Sequence, residues 1–248
     1  MFYEFKIAFR TIRKEGVTSL LNKLRVYFGD RAAAKKFLHA PRPDPNPDAI
    51  MKFLWHAGDG VIAPGQSKME FAALLTWIKQ RPAAQAVLEI GTARGGTLFA
   101  WCAMAAMDAT IISLDLPGGI HGGGYPPWKA DFYRQFAGST QKIHLICGDS
   151  HTQAMLNAVK RVMPTGGLDF LFIDGDHTYE GVKSDYEMYS PLVKPGGIII
   201  FHDICVHRAE FDCHVDKFWN QIKQGREYWE FIEDPKQGMW GIGIIIAK

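Results

Sequence analysis

Residues 87–97, Val-Leu-Glu-Ile-Gly-Thr-Ala-Arg-Gly-Gly-Thr, limit what this chain can become more than any other stretch. An apolar run with strand composition breaks at Gly91 and Gly95, and an apolar helical run opens at Thr97. A strand, a glycine turn and a helix in immediate succession place backbone N–H groups beside a helix N-terminus, and glycines let a ligand lie against bare backbone. Spacing narrows the ligand. A dinucleotide pyrophosphate wants Gly-x-Gly-x-x-Gly, but Ala93 stands at the second glycine position and the pattern is Glu-x-Gly-x-x-x-Gly. Glu89, just before the turn, repels a pyrophosphate and attracts a cation.

The remainder alternates in the same way. Strands are expected at 86–90, 111–115, 142–147, 169–174 and 197–202, with helices near 96–106, 151–162 and 179–189. Ser67-Lys-Met-Glu70 reads as a capping box opening a helix through about Gln80. Short, nearly continuous apolar strands joined through helices form a parallel sheet covered on both faces. The segments 228–233 and 239–247 have only residues 234–238 between them, too short for a helical crossover, which predicts an antiparallel hairpin at the sheet edge. The fold class is therefore α/β: a doubly wound, Rossmann-like sheet of five parallel strands plus a terminal antiparallel hairpin, with an N-terminal helical extension.

At 248 residues the chain can bury such a core with room for an added segment. No apolar run reaches the roughly 18 residues of a spanning helix, and residues 1–13 alternate apolar with charged side chains, unlike a secretory leader. Cys102, Cys147, Cys205 and Cys213 are too few and too scattered for a disulfide framework, so a cytoplasmic setting is expected. The net charge of +2 conceals an asymmetry: residues 1–42 carry +7 and the rest −5. Phe2, Phe5, Phe9 and Ile12, then Leu20, Leu21, Leu24 and Phe28, fall at helical spacing and predict two basic amphipathic helices. These cap the catalytic domain or a second subunit in a homo-oligomer, or they lie on anionic lipid through residues 1–40 as a peripheral membrane contact. Nucleic acid is not expected as a partner, because basic and aromatic residues do not recur along the chain. The proline-rich run 41–48 reads as a stiff linker, dividing an extension at 1–48 from a catalytic domain at 49–248.

A doubly wound sheet binds its ligand beyond the carboxyl ends of its strands. Those ends hold Glu89, Asp115, Asp149, Asp174, His202 and Asp203. Asp115 closes the second strand where a carboxylate can accept from both hydroxyls of a ribose. Asp149 can receive an adenine amino group, although Asp149 and Ser150 could equally cap the helix that follows. Asp174 and Asp203 are hard ligands suited to a divalent metal, which stabilises an oxyanion, and His177 is the candidate base for a hydroxyl proton. Asp176 and Thr178 could cap the next helix, and His202 could be a satisfied core histidine. Residues 117–127, rich in glycine and containing His121 and Tyr125, suit a lid over a substrate. Cys205, His207, Cys213 and His214 offer zinc-type donors at spacings that match no usual zinc pattern, and are expected instead to form a loop over the site.

The runs 168–185 (Leu-Asp-Phe-Leu-Phe-Ile-Asp-Gly-Asp-His-Thr-Tyr-Glu-Gly-Val-Lys-Ser-Asp) and 191–203 (Pro-Leu-Val-Lys-Pro-Gly-Gly-Ile-Ile-Ile-Phe-His-Asp) resemble the class I methyltransferase family labelled methyltransferase-24, and also cephalosporin-cluster and macrolide-sugar O-methyltransferases. The resemblance implies an S-adenosylmethionine-dependent fold over about residues 85–247. It implies cofactor contacts from Glu89, Gly91, Thr92, Gly95, Asp115, Asp149, Ser150 and Asp174, with Glu89 toward the amino end of the donor. It further implies His177 as the base and Asp174, His202 and Asp203 around a magnesium-type ion, with the difference that His202 stands where the relatives have an acid. The function expected is O-methylation of a small hydroxylated acceptor, a sugar or a natural product. Two alternatives stay open: a nucleotide-dependent oxidoreductase, and a non-catalytic methyltransferase-like subunit that binds a partner.

Overall fold

The computed structural model describes residues 28–116 and 124–248. The expected helices ahead of Phe28 and the lid residues 117–123, His121 among them, lie outside the described residues. Helix α1 occupies residues 28–39. It is followed by α2 (Pro47–His56), a short 3-10 turn (Ala57–Gly60), α3 (Lys68–Lys79), β1 (Ala86–Ile90), α4 (Gly96–Met104), β2 (Thr110–Asp115) and α5 (Pro127–Arg134). Then come β3 (Lys142–Cys147), α6 (Gln153–Val162), β4 (Leu168–Ile173), α7 (Tyr179–Tyr189), β5 (Val193–His202), α8 (Val215–Ile222), β6 (Tyr228–Phe231) and β7 (Ile242–Ile246).

The sheet order is β3-β2-β1-β4-β5-β7-β6, with the first five strands parallel and β7 antiparallel to both β5 and β6. The expected fold class and terminal hairpin are what the chain adopts. Side chains alternate across the sheet. Val87, Ile111, Phe170, Phe172, Ile198 and Ile200 enter one core layer, and Leu88, Ile112, Leu171, Ile173, Ile199 and Phe201 enter the other. Helices cover both faces, which is why the strands read as almost unbroken apolar runs.

The segment before residue 49 is part of this packing. Phe37 of α1 is 3% exposed and sits among Phe53, Phe99, Phe132 and Phe136, with ring centroids 4.9–5.5 Å away. Arg42 donates to the carbonyls of Gln135, Phe136 and Ala137, and α2 begins at Pro47, capped by Asn46 Oδ1 on the Ala49 amide at 2.9 Å. Arg42 thus pins the proline run to the turn that follows α5.

The expected capping box at the start of α3 does not form. Ser67 Oγ donates instead to Glu233 Oε2 at 2.7 Å. Glu70, 2% exposed, accepts from the Glu233 amide, Gln237 Nε2 and the Gly241 amide at 2.7–3.0 Å. The turn joining β6 and β7 has buried N–H groups that need acceptors, and a carboxylate meeting three of them is worth more than a helix cap open to water.

Candidate active site

The strand order reverses between β1 and β4, so the connections leaving their carboxyl ends part and leave a crevice. A cavity of about 1090 Å³ lies there, lined by the glycine turn, the ends of β2 to β5, and parts of the loops after β5 and β6. Gly91 has φ 87°, and a Cβ on it would stand 1.9 Å from the Asp174 carbonyl oxygen, so the turn crosses the end of β4 with no room for a side chain. Gly95 has φ 86° and lies under the Tyr133 ring, whose hydroxyl donates to the Ala93 carbonyl at 2.8 Å. Ala93 itself is left-handed, φ 43°.

Asp115 holds this turn in place. Its Oδ2 accepts from the amides of Thr92 (3.1 Å) and Ala93 (2.9 Å), and its Oδ1 from those of Leu116 (2.8 Å) and Gly124 (3.0 Å). It lines the cavity but is 7% exposed, and burial raises its pKa against those four bonds. The residue expected to receive hydroxyls is therefore first the anchor of the glycine turn.

Glu89 does not line the cavity. Strand alternation turns it into the core layer with Val87, where it is 0% exposed and takes the Trp101 indole N–H at 2.8 Å. Burial pushes its pKa up to about 8, against hydrogen bonds from Thr97, Thr92 and Trp101. Glu89 thus stands behind the cavity wall rather than on it. It supports the turn from beneath.

Asp149 is exposed and accepts from the His151 amide at 3.0 Å, organising the turn before α6, while Thr152 caps that helix. Asp149 and Ser150 both line the cavity, so the turn role and access to a ligand coexist. His151, also on the wall, pairs at 3.3 Å with Asp185, a fully buried carboxylate of α7.

The deepest chemistry gathers at the ends of β4 and β5. His202 is 5% exposed, and its Nδ1 lies 3.1 Å from Asp174 Oδ1 and 3.2 Å from Asp203 Oδ2. Across from it, His177 Nε2 lies 3.6 Å from Asp174 Oδ1 and 3.5 Å from Asp203 Oδ2. Burial alone would raise both carboxylates, but the charge of His202 outweighs it. Asp174 stays below the usual carboxylate range and Asp203 well below. Burial would lower the histidines, and the two carboxylates reverse this, raising His177 and raising His202 well above its ordinary value. Donor atoms of Asp174, His202 and Asp203 lie within 4.8 Å of one another, so the expected metal trio converges. Thr178 caps α7 on the Gly181 amide and Asp176 accepts from the Thr178 amide, which holds the turn carrying His177.

Two further residues join this cluster that sequence reasoning does not place there. Gln66, before α3, donates to Asp174 Oδ2 at 2.7 Å from a segment whose sequence shows only a helix start. His207 donates from Nε2 to Asp203 Oδ1 at 3.1 Å and from Nδ1 to the Cys205 carbonyl at 3.0 Å. Burial opposes its charge, but the Asp203 bond prevails and lifts it to about 10. The one signal for it is a histidine four residues beyond a strand-end acid. The cysteine–histidine loop folds over the cavity as expected: Phe211 and Cys213 line it, while Cys205 faces Gln237 and His214 pairs with exposed Asp212.

A turn of this shape at the switch point of such a sheet, with acids and a histidine at the next strand ends, is the arrangement expected of a class I methyltransferase domain. Residues 88–204 match the model of the methyltransferase-24 family, described as a methyltransferase domain. Among solved structures, the chain is similar to an O-methyltransferase from Bacillus cereus in complex with SAH (17% identity, TM-score 0.53, 85% of this chain and 93% of that one). It is also similar to the O-methyltransferase TomG from Streptomyces achromogenes, involved in tomaymycin synthesis, in complex with SAM (13% identity, TM-score 0.52, 80% and 89%). At these identities the likeness concerns the fold. The uncharacterized protein y4gI of Sinorhizobium fredii is 27% identical over 173 residues, which are 66% of this chain and only 18% of that protein.

Proposed function

We propose that this protein transfers a methyl group from S-adenosylmethionine to a hydroxyl of a small acceptor, a sugar or a natural product, with a divalent metal beside the acceptor oxygen. The observation that carries the proposal is the meeting of His177 with Asp174 and Asp203 on the wall shared with the glycine turn. The turn and Asp149 supply backbone and carboxylate contacts for a nucleoside, and the SAH and SAM bound by the similar O-methyltransferases favour the same ligand class. A dinucleotide is disfavoured because the position its pyrophosphate needs is Ala93.

Asp174, His202 and Asp203 fit a metal by donor chemistry, two carboxylates and an imidazole on adjacent strand ends. A divalent ion held there would stabilise the acceptor oxyanion and offset the negative charges that keep His177 protonated. His177 Nε2 takes the hydroxyl proton. Gln66 and His207 fix the orientation of the two carboxylates. Donor and acceptor are held in line in a cleft that limits water, and this positioning supplies most of the acceleration, because no covalent intermediate is needed.

Calorimetry with S-adenosylhomocysteine, with and without magnesium, tests the proposal. Saturable binding of one equivalent is expected, with magnesium binding lost in Asp174→Asn. Absence of binding alongside a saturating NADH titration would favour the oxidoreductase instead.

A further inference from the structure

Asp203 belongs to two groups of converging donors, and the second adds to His177 and Asp203 a thiol, Cys213, that the reaction proposed above does not use. His177, Asp203 and Cys213 bring a ring nitrogen, a carboxylate oxygen and a thiol sulfur within 4.8 Å of one another. Cys213 is 6% exposed, Asp203 is equally buried, and all three line the cavity.

Contacts between distant loops create this juxtaposition. The His214 amide donates to the His177 carbonyl at 2.8 Å, clipping the loop after β5 to the turn after β4 and setting Cys213 beside His177. Asp203 is left-handed, φ 62°, and His207 engages its Oδ1, so Oδ2 is the oxygen that faces both His202 and His177. A carboxylate oriented by a histidine is the outer-shell arrangement that steadies metal ligands. The separation of 3.5 Å from His177 Nε2 to Asp203 Oδ2 is close to the roughly 3.4 Å that tetrahedral geometry sets between donors about 2.1 Å from an ion.

We infer that His177, Asp203 and Cys213 form a binding site for a thiophilic divalent ion of the zinc class, distinct from the oxygen-rich trio of Asp174, His202 and Asp203 and in competition with it through Asp203. A thiolate selects zinc or cobalt over magnesium. Binding forms a metal–sulfur bond, the Cys213 proton passes to solvent, and no electron is transferred. The ion also occupies the lone pair of His177. It therefore shuts off methyl transfer, a consequence that rests on His177 being the base.

Anaerobic titration of the full chain with Co²⁺ tests the site without reference to activity. One equivalent is expected to produce a near-ultraviolet thiolate-to-cobalt charge-transfer band with the visible bands of tetrahedral cobalt, both bleached by Zn²⁺. Cys213→Ser loses the charge-transfer band and weakens binding at least tenfold, whereas Cys147→Ser and Asp174→Asn keep it. No band in the wild-type protein, or a band that survives Cys213→Ser, overturns the inference. Should the band form while saturating Zn²⁺ leaves turnover intact, the site stands and the assignment of His177 as base fails.

Discussion

A single missing Cβ gives the crevice its floor. Gly91→Ala places a methyl group 1.9 Å from the Asp174 carbonyl oxygen and imposes φ 87° on an L-residue, so at least about 3 kcal/mol of stability should be lost, read from urea unfolding. At His177 the expected loss is catalytic. His177→Ala should lower kcat by about 10²- to 10⁴-fold with an acceptor that supports turnover, while S-adenosylhomocysteine affinity measured calorimetrically stays within twofold. These positions were legible because their chemistry is local: a glycine between strand and helix, and a histidine three residues past a strand-end acid. Gln66 and His207 were not. Each acts by touching a carboxylate; Gln66 carries no pattern of its own, and the sequence places His207 in a loop over the site without showing that it engages Asp203.

At the scale of elements, two buried carboxylates tie helices to loops. Glu70 of α3 holds the turn between β6 and β7, and that turn in turn accepts the amides of Ile204, Cys205 and Arg208 through the carbonyls of Gly241, Trp240 and Gly238. Glu70→Ala should cost about 2–4 kcal/mol, because the Glu233 and Gly241 amides lose their acceptor. It should also speed hydrogen exchange at Ile204 and Cys205, which mass spectrometry resolves. Asp185 of α7 pairs with His151, and that pairing outweighs burial to raise the histidine to about 9 from an unfolded value near 6.5. The folded state binds the proton more tightly, so this contribution is complete below about pH 6.5 and is lost as pH rises through 9. Melting temperature should therefore fall across that window, by the equivalent of about 1–2 kcal/mol after allowance for partial exposure, and His151→Gln should flatten the decline. Periodicity located α3 and α7 to within a residue or two. It could not say that the first-turn acid of α3 faces a hairpin, because Ser-x-x-Glu is satisfied equally well by a cap.

For the whole molecule, the question is where the folded unit begins. Phe37 is buried against four other phenylalanines, so Phe37→Ala should cost about 3–5 kcal/mol in chemical denaturation. Removing residues 28–48 uncovers the same cluster, and the truncated chain should aggregate or melt earlier. Among the described residues no helix is long and apolar enough to cross a membrane. The basic residues before Phe28 lie outside the described part, and a role for them in lipid or partner binding is a separate question for vesicle co-sedimentation.

Strand-and-helix order, the parallel sheet, the closing hairpin and the likeness to a methyltransferase domain could be read from the chain because each rests on short-range signals: apolar periodicity, turn length, and glycines at fixed offsets. Tertiary structure decided what those signals leave open. Strand alternation sent Glu89 into the core while the crevice edge kept Asp115 on the ligand side, although both are acids near the carboxyl ends of neighbouring strands. The same long-range packing clipped Cys213 to His177 and pinned the proline run to the turn that follows α5. Side-chain identity is local, but burial, partner and charge state depend on which distant segment arrives beside it.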